Sequence, residues 1–140
     1  MTKSFWKSAV FLSIFAVSSM SMATSHLSRA LTENVSVTGQ MSIDKFQKLI
    51  NEGFKAVIVN RPDQEPGNLV TVSQLRSIAE RSHVSVIYQP VTSGQITQAN
   101  ITEFAKYYNE LPKPILMVCR SGTRSADLFN QAQAQGLIHE

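Results

Sequence analysis

The segment Val118-Cys119-Arg120-Ser121-Gly122-Thr123-Arg124-Ser125 gathers the chain's one cysteine, two arginines, three hydroxyls and a glycine. The apolar run Ile115-Leu116-Met117-Val118 precedes it and a helical pattern follows, so the segment reads as strand, tight loop, helix start. In that setting successive backbone N–H groups curl into an anion-binding nest above the helix N-terminus. Gly122 permits a turn that a side chain would obstruct. A cysteine sulfur over that positive end is favoured as the thiolate, its nucleophilic form. Arg124 offers a planar fork to an oxyanion. Arg120, Ser121, Gly122, Thr123 and Ser125 are the candidate substrate-binding residues, their hydroxyls suited to a thiolate or a leaving sulfur. The expected chemistry is attack by Cys119 inside an anion cradle, with Cys119 and Arg124 catalytic. A buried structural cysteine is the alternative, but its neighbours would be apolar on both sides, and here only one side is.

A second loop, Arg61-Pro62-Asp63-Gln64-Glu65-Pro66-Gly67-Asn68, follows the apolar run Ala56-Val57-Ile58-Val59. Two prolines and a glycine exclude regular structure there. If the sheet is parallel, this loop shares the carboxyl edge with Cys119. Asp63 is then a candidate general acid, or a group that orients Arg124 or Arg61; a turn-stabilising aspartate after proline is the competing reading. Arg61 is either a rim charge that gathers anionic substrates or a solvated loop charge. His26, His83 and His139 are scattered without metal-ligand spacing, and no P-loop, dinucleotide fingerprint or metal motif occurs. No metal and no cofactor is implied.

The elements that must position these residues alternate strand and helix. Thr24 to Asn34 reads as a polar, exposed lead-in, and Val35-Ser36-Val37 as a short strand. Ser42 caps a helix with Ile43, Phe46, Leu49 and Ile50 on one face, ended by Gly53. The strand Ala56–Val59 follows, then a helix capped by Thr71 that carries Val72, Leu75 and Ile78. Val84 to Tyr88 is the next strand. Thr97 or Asn100 caps a helix with Ile101, Phe104, Ala105 and Tyr108, stopped by Pro112 and Pro114. Ile115–Val118 is the last strand, and Ser125 to Gln135 the last helix, closed by Gly136. The aromatic residues Phe46, Phe54, Phe104, Tyr107, Tyr108 and Phe129 fall at core spacings. The pattern implies an α/β fold with a mainly parallel central sheet and helices on both faces.

With 140 residues the chain has room for one domain of ordinary size. Residues 1–23 read as a secretory signal peptide: Lys3 and Lys7, an apolar core Ala9 to Val17 too short to span a bilayer, then small residues ending at Ala23. Cleavage there leaves eleven basic residues against ten acidic ones, so the net charge of +3 for the whole chain is largely a property of the signal. That balance excludes a nucleic-acid partner and stable membrane association after cleavage. The expected organisation is a lead-in over 24–39, with a first short strand, and a domain over 40–140. The expected location is outside the cytoplasm, in the periplasm if the source is Gram-negative.

The Cys119 to Ser125 loop looks like the active loop of small rhodaneses and also resembles the phosphate-binding loop of cysteine-dependent phosphatases. Together with Gly53-Phe54-Lys55-Ala56-Val57-Ile58-Val59-Asn60-Arg61-Pro62-Asp63, Gln89-Pro90-Val91 and Gly94-Gln95-Ile96-Thr97, it resembles the beta-lactamase hydrolase-like protein family over Gln40 to Gly136. The resemblance implies a dual-specificity-phosphatase-like fold and either phosphatase or sulfurtransferase chemistry. Two departures from the phosphatases favour sulfur transfer. Four residues separate Cys119 from Arg124 where those phosphatases have five, and Val91 to Thr97, where they carry an acidic residue, has no carboxylate. Phosphoester cleavage without a general acid loses a factor of about 100 to 10,000, whereas sulfite or a thiolate hardly needs a proton to leave.

The preferred expectation is thus a sulfurtransferase that carries a persulfide on Cys119. Its partners are a small anionic sulfur donor and a thiol acceptor, since no second cysteine can resolve the persulfide. A separate persulfide-processing enzyme is a further partner implied by the resemblance, because some family members carry such a domain fused. The alternatives are a phosphatase that forms a phosphocysteine on Cys119, and a non-catalytic oxyanion-binding or redox-sensing module.

Overall fold

The computed structural model describes residues 26–140, and the signal-peptide reading lies outside the described residues. The described elements run β1 (Arg29–Thr32), β2 (Val35–Thr38), α1 (Ile43–Asn51), β3 (Ala56–Val59), α2 (Val72–Glu80), β4 (Ser85–Tyr88), α3 (Gln98–Glu110), β5 (Ile115–Val118) and α4 (Thr123–Ala134). They build one sheet in the order β1-β2-β5-β3-β4. β2, β5, β3 and β4 are mutually parallel, and β1 is antiparallel to β2.

Two-residue periodicity divides the sheet's side chains between two apolar layers. On one face Val35, Val37, Ile58, Ile115 and Met117 pack against Ile101, Phe104 and Tyr108 of α3 and Leu128 and Phe129 of α4. On the other, Val57, Val59, Leu116 and Val118 meet Phe46 and Leu49 of α1 and Leu75 of α2. Burial on both sides is why β3 and β5 are continuous apolar runs. Phe104, Tyr108 and Phe129 form an aromatic cluster with ring centroids 5.6 to 6.4 Å apart, a spacing at which ring edges meet faces favourably.

Helix starts follow local chemistry. Ser42 and Thr71 accept the backbone N–H three residues on. Thr97 is the N-cap of α3, and Asn100 is its reciprocal partner in a capping box rather than an alternative cap. Three readings change. The lead-in holds β1, a four-residue edge strand of mixed composition that the sequence does not distinguish from a loop. Ile43 is 44% exposed and does not join the buried face of α1. Helix α4 begins at Thr123, two residues before the expected start, because Gly122 at φ +89° makes the turn into it.

Phe104 is wholly buried at the centre of its layer. Phe104→Ala is expected to cost ~3–5 kcal/mol, seen as a lower denaturant midpoint at unchanged slope. Ile43→Ala, at an exposed position, is expected to stay within about 0.5 kcal/mol.

Candidate active site

The register of the parallel strands assembles the site. Val118, the last residue of β5, lies opposite Thr38 of β2 and Val59 of β3. The residues that follow the three strands, Cys119, Gly39 and Asn60, therefore emerge side by side at the carboxyl edge of the sheet. The Cys119 N–H donates to Thr38 O at 3.1 Å, and the Asn60 N–H donates to Val118 O at 2.8 Å. Gly39 pairs with Ser121. A Cβ on Gly39 would stand 2.9 Å from Arg120 O, so only glycine admits so close an approach.

Cys119 is 1% exposed, and the Gly122 N–H donates to its sulfur at 3.0 Å. That contact is a built-in stabilisation of negative charge on sulfur. Unlike α1, α2 and α3, helix α4 receives no side-chain cap, because Gly122 has no side chain to give one. The Thr123 N–H reaches Ser121 Oγ at 3.5 Å, and an anion above Cys119 supplies an acceptor to the next N–H groups of that turn.

Arg124, in that first turn, is held from two sides. Its Nη1 donates to Val91 O at 2.9 Å and to Asn60 O at 3.5 Å. Its Nη2 donates to Glu65 Oε1 at 2.8 Å. Nε is buried and donates to no protein acceptor. Buried donors are nearly always paired, and this N–H is an exception inside the protein. The cleft has a volume of about 610 Å³ and is lined by Cys119, Arg120, Ser121, Thr123 and Arg124, together with Ser93, Gly94, Ile96, Asp127 and Gln131.

The other expected site residues have other duties. Ser125 is fully buried, and its Oγ donates to Asn60 Oδ1 at 2.8 Å, so its single hydrogen is spent away from the sulfur. Arg61 is no rim charge. It is 3% exposed, with Nε donating to Glu65 Oε2 at 2.7 Å, Nη1 to Gln40 Oε1 at 2.5 Å and Nη2 to Pro66 O at 3.0 Å. Asp63 orients neither arginine. Its Oδ1 accepts the Val72 N–H at the start of α2, 2.8 Å away, and its own N–H donates to the Tyr88 hydroxyl. This is the turn-stabilising reading, and it removes Asp63 from the candidates for a leaving-group acid.

Four residues escaped the sequence reading. Glu65 bridges Arg61 and Arg124; its i,i+4 spacing from Arg61 was the only available signal, and loops do not impose that spacing. Asn60 joins Ser125 to Gln89 O, and Gly39 lets the loop close. Asp127 lines the cleft with Thr123, four residues before it on the same face of α4.

Comparisons with known proteins agree with this geometry. The family described as "Beta-lactamase hydrolase-like protein, phosphatase-like domain" matches residues 28–136. A beta-lactamase hydrolase-like protein of Agrobacterium fabrum is 32% identical over 108 residues, covering 74% of this chain and 24% of the relative. The chain spans about a quarter of the length of the curated relatives it matches. A Neisseria meningitidis crystal structure described as a candidate phosphatase superposes with a TM-score of 0.70 at 27% identity, over 77% of each chain. The core catalytic domain of the PP-IP phosphatase Siw14 from S. cerevisiae shares the fold, with a TM-score of 0.54 at 13% identity over 76% of this chain and 74% of that one. The fold is that of the cysteine phosphatases, and the scaffold is phosphatase-like.

Removing Glu65 leaves two buried guanidinium groups without a counter-charge, so Glu65→Ala is expected to cost ~3–5 kcal/mol. Asp63→Ala removes only a contact that caps a helix, at a cost of about 0.5–2 kcal/mol. Urea denaturation of the two variants checks that order.

Proposed function

We propose that this chain, which belongs to the beta-lactamase hydrolase-like protein, phosphatase-like domain family, is a cysteine-dependent hydrolase of phosphomonoesters. The observation that carries the proposal is that Cys119, whose sulfur receives the Gly122 N–H, lines one cleft with Arg124 and Thr123 of the first turn of α4. A phosphoryl group in that cleft meets the α4 N-terminus, the guanidinium and the sulfur together. The phosphatase-like scaffold supports a phosphoryl substrate.

In the first step the Cys119 thiolate attacks phosphorus. The S–P bond forms as the ester P–O bond breaks, and the leaving oxygen departs with the bonding pair. Arg124 and the loop N–H groups hold the phosphoryl oxygens as charge redistributes among them. In the second step water attacks phosphorus, the S–P bond breaks, phosphate leaves and the thiolate returns. Asp63 is committed to α2, so leaving groups stable as anions, such as aryl oxides, are the preferred substrates.

Sulfur transfer, which the sequence alone favours, becomes the second reading. Two observations support it: the four-residue spacing of Cys119 and Arg124, a smaller ring that suits a terminal sulfur, and the lack of a carboxylate in Val91 to Thr97 with Asp63 committed to α2, which costs a sulfur leaving group little. Its donor would be a small sulfur oxyanion or a persulfide and its acceptor an external thiol.

The two chemistries separate in one comparison: phosphate released from an aryl phosphate against sulfite released from thiosulfate plus cyanide. Phosphate release is expected, abolished in Cys119→Ser, lowered by about 100- to 1,000-fold in Arg124→Lys and retained in Asp63→Asn. Sulfite release that depends on Cys119, without phosphate release, establishes sulfur transfer instead. Silence in both assays leaves a non-catalytic anion-binding module.

A further inference from the structure

The cleft that holds Cys119 is bipolar. Its loop end carries Arg120, exposed, and Arg124. Its floor continues along α4 through Asp127 to Gln131, opposite Ser93, Gly94 and Ile96. At a rise of 1.5 Å per residue Asp127 lies about 6 Å along the helix from Thr123, and Gln131 about 6 Å farther. Among the described residues that line the cleft, Asp127 is the only acidic one, and no described cation pairs with it. It is exposed and lies beyond the first turn of α4, past Thr123 on the helix that lines the cleft, so a leaving group extending along that wall meets it.

An unpaired carboxylate in an anion-binding cleft lowers affinity for anions in general. It is explained if it discriminates among them, because repulsion of the wrong partner is half of specificity. We infer that the cleft selects phosphomonoesters whose leaving group carries a cation, held by Asp127 while the phosphoryl group occupies the Cys119 loop. This inference rests on the hydrolase reading for its substrate class. Esters with a second anionic group at the same distance are disfavoured by the same carboxylate, and Gln131 offers a neutral hydrogen-bonding end to the cleft.

Two substrates with matched leaving groups test it. Tyramine O-phosphate carries an ammonium and 3-(4-phosphooxyphenyl)propanoate a carboxylate, both on para-alkylphenol oxygens, so reactivity at phosphorus is nearly the same. A ratio of kcat/KM favouring the amine by about 1.5- to 5-fold is expected, the size of an exposed ion pair. Asp127→Asn should bring the ratio close to one, and Asp127→Lys should invert it. A ratio that Asp127→Asn leaves unchanged overturns the inference while hydrolysis itself stands.

Binding of the same two compounds to Cys119→Ser and to Cys119→Ser/Asp127→Asn, by calorimetry, gives a readout independent of turnover. If neither compound is hydrolysed but the preference for the amine persists and depends on Asp127, the hydrolase reading fails and the bipolar cleft stands. If binding shows no such preference, the inference is overturned whatever the activity.

Discussion

A single carboxylate, Glu65, holds two buried guanidinium groups at the carboxyl edge of the sheet. Burying an arginine is tolerable only with an opposite charge and satisfied hydrogen bonds, and Glu65 supplies one oxygen to each. On one side it fixes Arg61, which binds the 61–68 loop to itself through Pro66 O and to Gln40. On the other it fixes Arg124 in the first turn of α4. The loop that carries no chemistry of its own thereby sets the orientation of the side chain that meets the anion. With Nη1 and Nη2 both engaged, the guanidinium is fixed where Arg124 lines the cleft.

The remaining parts of the site come from the sheet. Parallel pairing of β5 with β2 and β3 brings Gly39, Asn60 and Cys119 to a common edge. Glycine at 39 lets the Arg120–Ser121 backbone close down, and glycine at 122 turns the chain into α4 without a side-chain cap. The result is a sulfur that receives one N–H and faces that uncapped helix end. Each feature has an elementary cause: strand register, absence of a Cβ, or unpaired N–H groups. An oxyanion answers all of them.

The fold was legible because burial on two faces writes itself as continuous apolar runs at Ala56–Val59 and Ile115–Val118, and because Ser42, Thr71 and Thr97 mark helix starts. β1 was not, since an edge strand with one partner has a weak apolar signature. Within the site, Cys119, Arg124 and Gly122 are local in sequence and could be read from one segment. Glu65 and Asn60 act on Arg124 and Ser125 across about sixty residues, a relation that only strand order creates. For the same reason the readings of Asp63 could not be told apart, and Arg61 misled. Both lie on the right edge of the sheet, and each is consumed there by a neighbour that composition does not reveal. Asp127 lies in a helix expected from the sequence, but which face of that helix meets the cleft is set by how α4 packs on the sheet.

The central claim is that the group accepted by Cys119 is phosphoryl and not sulfane sulfur. Offering the protein an aryl phosphate and thiosulfate together, quenching in acid and weighing the Cys119 peptide by mass spectrometry tests it directly. The account predicts a phosphoryl adduct on Cys119, absent from Cys119→Ser. A persulfide on Cys119 with no phosphoryl adduct would contradict it.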